Sequence, residues 1–120
     1  MPRLIPAPTI VQGDGTPGKR IEEFAGRVAS DNVNVSVARM TAPPGWREPG
    51  QRPQFEEITI VLRGTVRVEF EGGTLDVCGG QAIVTAPGEW VRYSTPEDGA
   101  EYIAVCQPAF SIATVNRDSE

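Results

Sequence analysis

Glu57, set in the run FEEITIVL, is the sharpest chemical feature of this 120-residue sequence. A carboxylate carried into an apolar interior either has its pKa raised by desolvation or is held ionised by a cation or hydrogen bonds. Both states serve a general acid or base working near neutral pH. The same carboxylate also fits a structural role, paired to Arg39 or to backbone amides, because structural ion pairs perturb carboxylates as active sites do. Side chains alternate across a strand, so Gln51, Phe55, Glu57, Thr59 and Val61 share one face, and Val91, Tyr93 and Thr95 share a face of a later strand with Arg92 opposite.

Around Glu57 the expected site is Glu57 and Tyr93 as the catalytic pair, with Gln51, Arg39, Phe55, Thr59, Val91, Trp46 and Trp90 as substrate-binding residues. Tyr93 either donates its phenol to a developing oxyanion or fills the core. Arg39 shares parity with Val33, Val35 and Val37, and reads either as a clamp for a substrate carboxylate or as a side chain snorkelling outward. Trp46 and Trp90 either rim a pocket mouth or cover an apolar edge. A one-residue bulge exchanges Glu56 for Glu57 at the inner face. Lyase, isomerase or cyclase chemistry on a small carbonyl or enol compound fits this set; a non-catalytic ligand-binding module or a dimeric scaffold fits it as well.

The sequence contains no histidine. Zinc, copper and non-haem iron sites thereby lose their usual imidazole, and Ser-His-Asp and Cys-His triads are excluded. No metal and no cofactor is expected. Cys78 and Cys106 stand at no metal-ligand spacing; they read as two buried thiols of a cytoplasmic protein, with a disulfide the other possibility. Eleven basic and 16 acidic side chains leave a formal charge of −5, which opposes nucleic acid and anionic lipid as partners. MPRLIPAPTIV is too proline-rich for a secretion signal, and no apolar run approaches membrane-spanning length.

The elements that must position these residues are strands. The 13 glycines and 11 prolines put turn signals every few residues, with no convincing helix between them, which predicts an all-β sandwich or barrel. Residues 1–18 read as an extended arm and loop in which Thr9 to Gln12 has the makings of an edge strand, 19–110 as the barrel, and 111–120 as a C-terminal tail. The segment from Lys19 reads as a strand, and a further strand runs from Val33 to Met40. Phe55 to Leu62 and Thr65 to Phe70 read as two paired strands broken at Arg63-Gly64, followed by short strands at 74–77, 81–85, 89–94 and 101–106.

The frame Gly45, five residues, Gln51, one residue, Pro53, three residues, Glu57, six residues, Gly64 resembles the first signature of the cupin superfamily. Gly80 and Gly88 match two positions of the second, whose remaining positions fall on Ala86, Val91 and Thr95. The resemblance implies a single-domain jelly-roll β-barrel that binds a small molecule inside and forms a homodimer, with the N-terminal arm against the partner or its own sheet edge. It also implies that the four family metal-ligand positions are held here by Gln51, Pro53, Glu57 and Val91, so the barrel is expected without the metal chemistry.

Overall fold

One long strand, β5 (Glu56–Phe70), belongs to both sheets of the protein. The computed structural model describes residues 1–119. The remaining strands among them are β1 (Thr9–Gln12), β2 (Arg20–Ala25), β3 (Ser36–Ala42), β4 (Trp46–Arg47), β6 (Gly73–Cys78), β7 (Ala82–Thr85), β8 (Val91–Thr95) and β9 (Ala100–Gln107). A single helical turn, α1 (Ile112–Val115), follows them. The first sheet runs β1-β2-β3-β9-β5 with β7 on the far side of β5; the second is β5-β8-β4 with β6 on its other flank. Every pairing is antiparallel. The expected all-β barrel is the observed architecture.

β5 changes sheets at a bulge. Its register against β9 shifts between Val61 and Arg63, and Gly64 has φ +78°. A Cβ at Gly64 would lie 2.2 Å from the carbonyl oxygen of Gly99, so the two chains approach too closely for any side chain there. Arg63-Gly64 is therefore a bend within one strand and not the end of a hairpin, which corrects the reading of two paired strands. One residue at positive φ suffices for a bulge, whereas the tight reversals need their own two-residue turn chemistry.

β3 also departs from expectation. It begins at Ser36, and the residues that face inward are Ser36, Ala38 and Met40. Val33 is exposed, and the valine parity that suggested an inner face is the outer one. Alternation locates two faces without saying which is buried, and here the bulkier set lies outside. Across the ladder Ala38 faces Ala104 and Ser36 faces Cys106. These small side chains cannot fill the space between the sheets, and a cavity remains above them.

The rest of the interior holds two apolar clusters. Trp46, Val61, Val66, Val68, Val91 and Tyr93 form the main apolar cluster, and Phe55, Cys106 and Val115 a second, against which Phe110 packs. The segment expected as a tail folds back on the barrel: Ser111 caps α1 by accepting from the amide of Ala113, and Asn116 ends it at φ +53°. The backbone amides of Gln54, Arg52 and Asp118 then bond to Thr114, Asn116 and Gly50 at 2.9, 3.1 and 2.8 Å. Thr9–Gln12 does pair as an edge strand, against β2.

Gly64→Ala is expected to cost about 2 kcal/mol or more, since it combines a disfavoured φ with a backbone clash. Urea unfolding beside Gly18→Ala, where an added Cβ meets nothing within 4 Å, checks it; equal midpoints for the two variants would remove the bend as a constraint.

Candidate functional site

The cavity left above the small residues of β3 and β9 has a volume of about 470 Å³. Its apolar wall includes Val11, Ile21, Met40, Phe110, Ile112 and Val115, and to the polar groups on the strands themselves, Glu57 on β5 among them, three further segments add theirs: the loop leading into β2, the stretch between β4 and β5, and the turn after α1.

Glu57 lies on β5, where its neighbours in the ladder are Thr85 and Cys106. Its carboxylate accepts a hydrogen bond from the phenol of Tyr93 at 3.3 Å, and that hydroxyl lies 3.4 Å from Thr85 Oγ1. The accessible surface that Glu57 retains faces the cavity. Burial, reinforced by the nearby charge of Glu48 and opposed by Lys19, the Tyr93 hydrogen bond and Arg117, pushes its pKa up to about 7. Burial and the same carboxylate hold the Tyr93 phenol well above its ordinary value, so Tyr93 remains a donor. Tyr93, with Val68 as its register partner, brings the second sheet to a carboxylate of the first.

Gln51 is anchored by its backbone, which exchanges bonds of 2.8 and 2.9 Å with Val91. Its amide oxygen is buried against the cavity and has no partner. The fold thus brings Tyr93 into contact with Glu57 and puts Gln51 on the wall of the same cavity as Glu57.

The others lie elsewhere. Phe55 and Thr59 are 1% exposed and belong to the packed interior; Val91 is core. Trp46 is fully buried, and its ring supports the ammonium of Lys19 at 4.1 Å while Nε1 donates to the carbonyl of Asp14 at 3.2 Å. Trp90 donates to Asp118 at 2.9 Å and covers Gly50 from outside, so it fastens the C-terminal segment without reaching the cavity. Arg39 projects from the outer face of β3, where its guanidinium makes two hydrogen bonds to Glu22 at 3.0 and 3.2 Å. It clamps nothing inside. Glu56 also stays off the cavity wall, because the bulge in β5 comes after Glu57 and leaves the parity there undisturbed.

Five charged groups in the cavity were not foreseen, Asp14, Lys19, Glu23, Glu48 and Arg117, of which three meet one another. Lys19, with a side chain 6% exposed, donates to Tyr102 at 3.0 Å and lies 3.9 Å from Glu48 Oε2. Burial lowers its pKa, but Tyr102, Glu48 and Glu57 outweigh burial and leave it raised. Glu48, 3% exposed, is pushed up by burial and held back by Lys19 and Arg117. Arg117 reaches in from the turn after α1, 3.0 Å from Asp14 and 3.6 Å from Glu48. Only Glu48 carried a signal, a charge inside the Gly45–Gln51 frame; Lys19 and Arg117 arrive from the arm and the tail, which pattern alone cannot dock.

The family metal-ligand positions do not fit a transition metal. Pro53 and Val91 offer no donor atom, and among the described residues no three His, Cys, Asp or Glu side chains converge to hold an ion. Cys78 is exposed and Cys106 buried, both as free thiols, which corrects the expectation of two buried ones. Burial and the Glu57 charge push the Cys106 thiol far up, so it is not a nucleophile. Among the described residues no helix is long and apolar enough to cross a membrane.

Residues 34–119 match the family described as AraC-like ligand binding domain. Endoribonuclease YbeY of Myxococcus xanthus is 46% identical over 94 residues, which cover 78% of this chain and 32% of that protein. The chain thus spans about a third of the length of that curated relative. Among solved structures, a predicted oxalate decarboxylase from Thermotoga maritima superposes with TM-score 0.72 at 20% identity, covering 90% of this chain and 99% of its own. KdgF from Halomonas gives 0.68 at 19% identity over 83% of this chain and 89% of that one. The EutQ protein of Clostridium difficile gives 0.63 at 20% identity over 77% and 64%. At such identities these structures share the cupin jelly-roll fold with this chain.

The direction of the Glu57 shift has a measurable consequence. Its pKa in the folded protein, about 7, exceeds the ordinary 4.5. Between those values the folded state keeps a proton that the unfolded chain has released, so rising pH removes stability, at up to about 1.4 kcal/mol per pH unit. Below the ordinary value both states are protonated and the contribution is fully present. Glu57→Gln should flatten this part of the profile, and urea unfolding across the window from weakly acidic to neutral pH will show it; parallel profiles for parent and variant would place Glu57 in contact with solvent.

Proposed function

The chain belongs to the AraC-like ligand binding domain family, and on that premise we propose that its cavity binds a small organic molecule and that Glu57 exchanges a proton with it, without a metal. The observation that carries this reading is a carboxyl group on the cavity wall, held at a pKa of about 7 and hydrogen-bonded to a phenol. A group in that range is populated in both protonation states at neutral pH, as proton transfer in either direction requires. Tyr93 stays protonated and steadies the ionised form of Glu57. Gln51 and the Glu48-Lys19-Arg117 group supply polar contacts beside it. The chemistry suits lyase, isomerase or cyclase reactions at a carbon next to a carbonyl or enol.

A non-catalytic binding module is the second reading, favoured by the family's own description as ligand binding. The ribonuclease activity named for the M. xanthus relative belongs to a protein of which this chain covers 32%. Four carboxylates against two cations on the cavity wall and a formal charge of −5 oppose an RNA backbone. Cytoplasmic residence fits the exposed free thiol of Cys78, which a reducing compartment preserves.

Homodimerisation is proposed through the outer face of the first sheet. Val37, Val105, Ile58 and Val84 form one row across four strands, and Ile103, Ile60 and Ala82 the next. Ile60, Leu62 and Val84 are 40, 50 and 58% exposed. A contiguous apolar surface edged by Arg39, Arg63 and Glu101 carries both signs of charge at its rim, as a self-complementary two-fold interface requires. Light scattering should show a dimer that Val84→Lys converts to a monomer; a monomeric parent protein would overturn the assignment.

The catalytic reading is tested on ligand that copurifies. Native mass spectrometry identifies it, and NMR in deuterated water follows exchange at its carbon atoms. Parent protein should catalyse exchange, and Glu57→Gln should keep the ligand while losing on the order of 10² to 10⁴ of the rate. A bound ligand that never exchanges would leave the binding module as the function.

A further inference from the structure

Among the described residues three buried side-chain atoms have no hydrogen-bond partner: the acceptors Glu48 Oε2 and Gln51 Oε1, whose residues line the cavity, and the donor Arg117 Nε, which is ion-paired with Asp14 at 3.0 Å. Glu48 and Gln51 are nine-tenths buried or more, at 5 and 3% exposure. Leaving a buried acceptor empty costs about 1–3 kcal/mol, and native proteins seldom do so without a use for it. The two neighbouring cations do not fill the gap. Lys19 and Arg117 lie 3.9 and 3.6 Å from Glu48 Oε2, beyond hydrogen-bond reach. Each is drawn elsewhere, Lys19 to the hydroxyl of Tyr102 and the ring of Trp46, Arg117 towards Asp14.

The charge balance points the same way. Asp14, Glu23, Glu48 and Glu57 line the cavity against Lys19 and Arg117. Glu23 Oε2 already accepts from the amides of Val28 and Ala29 at 3.1 and 2.7 Å, which holds that side chain in place. An anionic group entering here meets four carboxylates against two cations that are already ion-paired, and it has no donor for Glu48 Oε2 or Gln51 Oε1. A hydroxyl can fill only one of the two acceptors as a donor. A protonated amine has enough N–H bonds to fill both and carries the charge the wall lacks.

We propose that the Glu48–Gln51 end of the cavity binds the protonated amino group of a ligand whose remaining body is apolar. The amine donates one N–H to Glu48 and one to Gln51, and the body lies along Met40, Phe110, Ile112 and Val115. This rests on the small-molecule reading of the cavity and gives that molecule a chemical class.

Three isosteric probes test it on the full chain near neutral pH: benzylamine, benzyl alcohol and benzoate. The sequence has two methionines, Met1 and Met40, so methyl-labelled methionine gives one signal from the cavity wall and one from the N-terminus. Benzylamine should shift the Met40 signal saturably and leave Met1 alone, with benzyl alcohol at least roughly tenfold weaker and benzoate inert. Gln51→Leu, which fills the same space without an acceptor, should weaken benzylamine by about fivefold or more. Benzyl alcohol or benzoate binding as tightly as the amine overturns the amine and leaves the cavity a ligand site of other chemistry, as does benzylamine unaffected by Gln51→Leu. If Met40 ignores all three probes, the amine and the small-molecule reading fail together.

Discussion

The bend in β5 is the constraint on which the site depends. Glu57 and Val68 stand at nearly equal distances before and after the bulge at Val61–Gly64. Eleven residues of straight strand between those positions would span about 36 Å. Folding the strand at its middle instead brings the two halves face to face, and Tyr93, in register with Val68, reaches across to touch Glu57. The close approach of Gly64 to Gly99 makes that bend possible. A carboxyl near neutrality and the phenol that steadies it therefore come together through backbone geometry remote from either.

Around that pair the protein accepts costs that its packed half avoids. Val61, Val66, Val68 and Trp46 are buried together in the main apolar cluster, while Ser36, Ala38 and Ala104 border a void next door. Into the void project a lysine, an arginine and several carboxylates, of which Glu48 is bonded to no donor. Desolvated charges of this kind do little for stability, so their concentration in the hollow part of the barrel is better explained by what the hollow receives. The cation of Lys19 is kept there by the faces of Trp46 and Tyr102 together with its ion pair to Glu48 at 3.9 Å.

Much of this was legible in the sequence, and the boundary of what was not has a physical cause. Strand alternation placed Glu57 on the inner face of β5, and the glycine frame placed the barrel around it, because both depend on local backbone geometry; Gln51 precedes β5 and reaches the cavity through its bridge to Val91 instead. Of the two readings of Arg39 the outward one holds and the clamp does not, because alternation is blind to which face is inside; the valines of its parity cover the outside of the sheet. The break at Arg63-Gly64 was read as a chain reversal because a bulge and a turn draw on the same residues. Lys19 and Arg117 stayed hidden for a different reason. They belong to segments whose position is set by docking onto the finished barrel, through pairs such as Gln51 with Arg117 and Thr16 with Arg47, and no local pattern encodes such a contact.

The facing pair Ala38 and Ala104 has a separate implication for how such a protein diversifies. Neither residue carries charge or hydrogen-bonds through its side chain, yet together they set the depth of the hollow beneath Glu57 and Gln51. Exchanging either for a valine or leucine would shrink the chamber while leaving every polar group in place, and the reverse change elsewhere on the wall would enlarge it. Selectivity for ligand size and selectivity for ligand charge thus reside on different strands and can drift independently, so a duplicated copy of the gene has a short mutational path to a new ligand of the same polarity.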